Sequence, residues 1–401
     1  MTASLYFSEL DQLLSEDPSV VAARAVSSYD DLAAPFGDRM VLFGAGGLGR
    51  KTLAGLHRKG IAPLAYADNN QSLWFKQVDG LTVLPPHEAA DRFGRSAAFV
   101  VSVWGSSGHR YEQSRTQLLK LGCERVLSFG HLYWKHSDVF LPYFGLDLPQ
   151  KTILCSEAIR GGLGLWSDDA SSREYVAQVR WRLHLDFAGL SPRAQHAPYF
   201  PEGLFTSLPD EVFVDCGAFD GDTLKDFLQV RGNAFHQAVA LEPDPTNCGK
   251  LKAWAASLEN SLQEKIQVLP IAAAQNPCRL RFQASGTMTA GSSVDGEMEV
   301  AGDALDNVLA QKRPTYLKMD IEGAEPDALL GARKVIEANR PVLAICVYHR
   351  YDHLWELPLL IRSLVDDYCF FLRPHQEEVW DLVCYAIPKD RLCRPRNLSA
   401  T

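Results

Sequence analysis

Carboxylates gathered around one glycine turn are the first chemistry this sequence offers. The stretch FVDCGAFDGDT, Phe213 to Thr223, follows an apolar run and sets Asp215, Asp220 and Asp222 beside Gly217 and Gly221. A turn between strand and helix is where α/β proteins seat nucleotide-type ligands. A pyrophosphate wants GxGxxG spacing, close backbone approach and a positive helix N-terminus. Here the spacing is GxxxG, and a phosphate would meet like charge in a partly desolvated place. A second glycine turn, VLFGAGGLGR at Val41 to Arg50, contains no acid. The two turns suit ligands of opposite charge.

S-adenosylmethionine suits the acidic turn, because it has no phosphate and carries a sulfonium and an ammonium. Asp215, Gly217, Phe219 and Gly221 are then the candidate donor loop. In VALEPD, Glu242 stands about twenty residues beyond Gly221, the separation expected of an acid that takes ribose hydroxyls. Pro243 is rigid and apolar and fits an adenine edge, while LPIAAA ends the third strand with small residues, Ala272 and Ala273, that admit a flat base. The plainer alternative is an acidic loop in which Asp222 only caps a helix.

Methyl transfer to a hydroxyl needs a base or a metal at the strand tips. KMDIEGAE offers Asp320 and Glu322, and VYHRYDHLW offers His349, Asp352 and His353. His349 is the expected base, with Asp320 positioning the acceptor or the donor ammonium. A strand-end histidine bonded to backbone is the competing reading. His349 and His353 have a metal-compatible spacing but no firm third ligand. Asp320 with Glu322 is the other candidate set for a divalent cation, though Glu322 could equally close a helix cap. Tyr348, Tyr351 and Trp355 are candidates to stack on a sugar ring, or core residues.

The acid-free turn has true GxGxxG spacing at Gly44, Gly46 and Gly49, with Arg50 and Lys51 in the following helix and Asp68 about twenty residues on. This predicts a second site for a nucleotide or nucleotide-sugar; glycines that merely pack helix on strand are the alternative. No tyrosine–lysine pair for hydride transfer accompanies it.

The elements that must carry these turns read as two wound α/β units. Residues 1–36 form a helical lead-in. From 37 to 150, RMVLFGAG, IAPLAYADNN, AAFVVSVW and RVLSF alternate with helices, which predicts a parallel sheet. Residues 151–207 read as a helical connector and a proline-rich aromatic loop, either a substrate wall or a packing seam. From 208 to 401 the alternation resumes: EVFVDCG, QAVALEPD, IQVLPIAAA, RLRFQA, TYLKMD and PVLAICVYH are strands, and PDALLGARKVIEANR is one helix. YCFFLRPH and VWDLVCYAIP, joined by QEE, must pair antiparallel, since a parallel pair needs a long crossover.

At 401 residues two domains are expected. A net charge of −9 without a lysine/arginine cluster argues against a nucleic-acid partner. The N-terminus lacks the make-up of a secretory signal, and no apolar run approaches a membrane span. Nine scattered cysteines without metal spacing point to reduced thiols and a cytoplasmic protein. A homo-oligomer stays open.

VFVDCGAFDGDT, ALEPDP, LDNVL, YLKMDIEGAE and VYHRYDHLWELP together resemble the FkbM-type S-adenosylmethionine-dependent methyltransferases, over roughly Leu208 to Pro388. The resemblance implies a seven-stranded class I methyltransferase sheet and O-methylation of a sugar, glycolipid or related metabolite, as in polysaccharide biosynthesis. It implies Asp215, Gly217 and Gly221 as donor loop, Glu242 as ribose acid, and Asp320 as the acid ending the fourth strand. AYADNNQSLWFKQVDGLTVLPPHE resembles the nucleotide-binding domains attached to sugar-modifying enzymes. The rival functions are an NAD(P)-dependent sugar-nucleotide oxidoreductase using the N-terminal GxGxxG, and a non-catalytic nucleotide-binding scaffold.

Overall fold

The computed structural model describes residues 2–105, 108–194, 197–283, 291–292 and 298–393. Residues 195 and 196 of the proline-rich loop lie outside them. Two sheets are built from Rossmann-like alternation. The first contains β1 (Met40–Phe43), β2 (Ala65–Ala67), β3 (Gln77–Val78), β4 (Leu81–Leu84), β5 (Ala98–Val101) and β6 (Val126–Ser128), in the order β3-β4-β2-β1-β5-β6. All neighbours are parallel except β3–β4. That hairpin escaped the sequence reading. Its loop is Asp79-Gly80, both residues at positive φ, 48° and 82°, as a two-residue hairpin turn requires.

The lead-in splits into helices Thr2–Leu13 and Pro18–Ala33. The second buries Val21, Ala25, Tyr29 and Ala33, one face at steps of four, against the helices Phe129–Lys135 and Pro149–Leu154. The connector becomes three helices, of which Asp169–His184 is the longest; Asp168 caps it by accepting from the N–H of Ser171.

The second sheet holds β7 (Val212–Cys216), β8 (Gln237–Leu241), β9 (Ile266–Leu269), β14 (Tyr316–Met319), β15 (Val342–Cys346), β16 (Tyr368–Pro374) and β17 (Leu382–Pro388), in the order β16-β17-β15-β14-β7-β8-β9. The expected terminal hairpin is there: β17 is antiparallel to both neighbours, and the rest are parallel. Central strands are buried on both faces, so they read as apolar runs rather than alternating ones.

Two expectations need correction. IQVLPIAAA is not one strand: it divides at Pro270, whose missing N–H interrupts a ladder. Its second half, β10 (Ala272–Ala274), joins β11 (Cys278–Gln283), β12 (Gly291–Ser292) and β13 (Met298–Ala304) in a separate four-stranded sheet. PDALLGARKVIEANR likewise makes two helices, Glu325–Gly331 and Arg333–Asn339. Gly331 at the break lies so close to β10 that a Cβ there would stand 2.1 Å from the carbonyl oxygen of Ala274.

Candidate active site

Neighbouring parallel strands of the second sheet end along one edge, and the chemistry collects there. β7 runs into Gly217, at φ 78°, where a Cβ would lie 1.9 Å from the carbonyl oxygen of Asp320 at the tip of β14. Only glycine allows that approach. Gly221, at φ 90°, precedes the helix Asp222–Arg231 and packs on Leu251 and Trp254 instead. Asp215 departs from its expected place. It is fully buried behind the turn and pairs at 2.9 Å with Lys318, which also donates to the carbonyl of Gly217 at 2.8 Å. Burial lifts Asp215 to about 6 against the pull of Lys318. Burial alone would lower the Lys318 ammonium, but Asp215 and Asp320 outweigh it and hold it above its ordinary value. This pair braces the loop from within. Lys318 was missed; its signal was a lone cation inside the apolar strand YLKM.

Glu242, at the end of β8, reaches back to the turn. Its two oxygens accept from the N–H groups of Phe219 and Asp244, each at 2.8 Å. Burial raises it to about 7, while those two donors pull the other way. Glu242, Gly217, Phe219, Pro243, Ala272, Ala273, Asp320 and Glu322 all line one cavity of about 550 Å³. Thus the expected donor residues converge, except Asp215 and Gly221, which shape the loop without lining the cavity.

His349 stands behind Asp320, outside the cavity lining. Its side chain is buried; Nδ1 is 2.8 Å from a Glu325 oxygen and Nε2 is 3.1 Å from Asp320. Burial favours the neutral ring, yet Glu325 and Asp320 prevail and push its pKa well above the usual value. With both ring nitrogens turned to carboxylates and the ring outside the cavity lining, His349 is placed as a partner of Asp320 and not at the acceptor. It acts instead on Asp320, which also accepts from the Tyr199 hydroxyl at 2.8 Å. Burial would raise Asp320, but His349, Lys318 and Tyr199 hold it well below the ordinary carboxylate range. Glu325, whose place in this clamp was unread, also accepts from the N–H of Ile321 at 2.9 Å. His353 faces the same carboxylate at 3.4 Å, and burial drives it down to about 4. His349 is thus bonded to Glu325, while His353 only approaches it, with neither of its own ring nitrogens hydrogen-bonded. Among the described residues no group of three or more His, Cys, Asp or Glu is arranged to hold a metal ion.

Glu322 sits at φ 54°, a left-handed conformation uncommon for glutamate, and burial raises it to about 7. Asp381, at φ 46°, is raised by burial to about 6. With Asp222, Asp226, Glu242 and Asp320 they make six carboxylates lining the cavity against one ammonium, Lys318. Of the aromatic candidates, Tyr348 lines the cavity, Trp355 is fully buried in the core, and Tyr351 lies under Lys151.

The N-terminal turn is organised differently. Gly49 closes it on itself, since a Cβ there would be 1.9 Å from the carbonyl oxygen of Gly44. Asp68 accepts from the N–H of Ala45 at 2.7 Å, and Gly46 leaves open space around its Cα. The expected phosphate-facing cations are otherwise engaged: Arg50 forks onto Asp79 at 2.8 and 3.0 Å, and Lys51 lies 4.8 Å from the centre of the Tyr143 ring.

Residues 215–372 match the family model of the Methyltransferase FkbM domain, and this part of the chain is a domain of that family. The crystal structure of Methyltransferase FkbM from Methylobacillus flagellatus KT superposes with a TM-score of 0.75, covering 96% of this chain and 99% of that one at 23% identity. At that identity the likeness is one of fold, and it spans both wound units. A proposed rRNA-methylase from Clostridium thermocellum aligns at TM-score 0.28 and 11% identity over 46% of this chain and 89% of its own, too loosely to carry an argument. No curated protein matches. Among the described residues no helix is long and apolar enough to cross a membrane.

Proposed function

We propose that residues 208–401 transfer a methyl group from S-adenosylmethionine to a hydroxyl oxygen of a sugar, glycolipid or related metabolite. The observation that carries this reading is the cavity's charge: six carboxylates and one internally paired ammonium, gathered at a glycine turn. Such a lining favours a cationic ligand and disfavours a phosphorylated one. When bound, the donor supplies an electrophilic methyl on a sulfonium, so the protein's part is position and proton removal.

Glu242 has both oxygens fixed by backbone donors, with acceptor capacity left for ribose hydroxyls. Phe219, Pro243 and Ala272 give an apolar seat for a base. Asp320, kept ionised by the His349 imidazolium, holds the donor's ammonium or the acceptor's hydroxyl. Glu322, raised by burial to about 7, takes the acceptor's proton as the oxygen attacks.

Calorimetric titration tests the donor half directly. S-adenosylmethionine is expected to bind the full chain, with Glu242→Ala weakening it about 100-fold or more, as a buried charge-assisted hydrogen bond warrants. Binding of NAD in its place, or an unaltered Glu242→Ala variant, would overturn the reading.

A further inference from the structure

The sheet order lays the cavity out in a line. From β8 through β7, β14 and β15 to β17 are four inter-strand steps, about 19 Å. Glu242 and Gly217 stand on one side of Asp320; Tyr348, after β15, and Asp381, before β17, stand on the other. That second side is not built by its own sheet alone. Gly105, which follows β5 of the first sheet, lines the same cavity. A Cβ on Gly105 would be 2.6 Å from Nε1 and Cε2 of Trp380, so the two sheets meet at this ring. Trp104 packs on it too, with ring centroids 4.9 Å apart, and Trp104 is itself stacked on Trp181 at 5.6 Å.

The turn between β16 and β17 is also anchored to the first unit, since the N–H of Tyr111 donates to Glu378 at 2.6 Å. Glu378 and Asp381 both hold positive φ, 66° and 46°, a conformation that persists only where surroundings impose it. What this bracing presents to the cavity is Gln376 and Trp380, whose Oε1 and Nε1 atoms are buried without a hydrogen-bond partner. Buried polar atoms left unpaired cost stability unless water or a ligand meets them, and atoms facing a cavity can take either.

We propose that the β15–β17 side of the cavity is the acceptor subsite, shared between the two sheets, where Trp380 and Gln376 select a hydroxylated ring. The inference rests on the methyl-transfer reading and assigns the first unit a role in acceptor recognition. An indole gives a sugar's C–H face an apolar surface, while the amide oxygen and Asp381 accept from its hydroxyls. Gly105 sets the ring's position, because any side chain there displaces Trp380.

Titration of methyl glycosides of glucose, galactose, mannose, rhamnose and fucose into the full chain saturated with S-adenosylhomocysteine, followed by tryptophan fluorescence, tests this. At least one glycoside is expected to bind. Trp380→Ala, Gln376→Leu and Gly105→Ala should each weaken it at least tenfold while S-adenosylhomocysteine affinity stays within twofold. The milder Trp380→Phe should fall between. Five silent glycosides, or a glycoside that binds all variants equally, would overturn the proposal. Failure of S-adenosylhomocysteine to bind the unaltered chain would instead strike the methyl-transfer reading.

Discussion

Two glycine turns begin alike, each at the end of a central parallel strand, and are then closed by different partners. In the N-terminal turn the tightest contact is internal, Gly49 against the carbonyl of Gly44, and both nearby cations are spent on Asp79 and on the Tyr143 ring. In the C-terminal turn the tightest contact is with another strand, Gly217 against the carbonyl of Asp320, and Lys318 ties the same turn to Asp215. The first turn is also held from outside, by Ser102, which donates to the carbonyl of Gly44 at 3.1 Å, and by Asp68, but neither contact adds a charge to a cavity. A turn closed on the next strand brings its backbone, Glu242 and Asp320 to one cavity. Glycine spacing reports that a chain bends, whereas the partner at the bend decides what the bend can hold.

The sharpest way to break this contrast is to remove the buried cation. Lys318→Met leaves Asp215 buried and unpaired, and chemical denaturation should show a loss of about 3–5 kcal/mol. A variant as stable as the parent would mean the pair does not brace the loop. Next comes the glycine exchange itself. Gly217→Ala must hold φ 78° and clear the Asp320 carbonyl, an expected cost of about 2–4 kcal/mol. Gly46→Ala, in open space at φ −78°, should cost less than about 1 kcal/mol by the same measurement. Equal losses at the two positions would erase the distinction.

The third expectation concerns pH. Glu242 and Glu322 are raised to about 7 and Asp381 to about 6, each by burial. A cationic ligand binds the ionised carboxylates, so its affinity should rise as pH climbs from 6 to 8 and then level, about tenfold for each of the two glutamates that must lose a proton and about twofold for Asp381. Calorimetry across that range checks it, and Glu242→Gln should flatten part of the rise. His349 works in the opposite sense for stability. Its folded pKa is raised, so its contribution is complete below the ordinary histidine value and fades as pH climbs through the folded one.

Much of this was legible in advance, for physical reasons that differ by residue. Parallel strands buried on both faces announce themselves as apolar runs, and a connection as short as residues 375–381 permits only an antiparallel pair, so both wound sheets and the terminal hairpin could be read. Gly217, Phe219, Glu242, Pro243 and Ala272 could be placed together because strand-tip residues of adjacent strands share an edge. The clamp on His349 was not legible, because its spacing from Asp320 and Glu322 says nothing of Glu325, which comes round from the following helix to meet Nδ1. Asp215 reads as a ligand-facing acid from sequence because an acid in a glycine loop looks the same whether or not a lysine stands behind it.

By itself the sequence determined two wound units, the sites of their glycine turns and the opposite charge of those turns, since periodicity, turn chemistry and composition act locally along the chain. Only the tertiary structure decided which charges are spoken for: Lys318 with Asp215, His349 between Asp320 and Glu325, Arg50 with Asp79. It also decided that Gly105 of one unit meets Trp380 of the other. Pairing energy and desolvation depend on distance and burial among residues remote in the chain, and no local pattern encodes those.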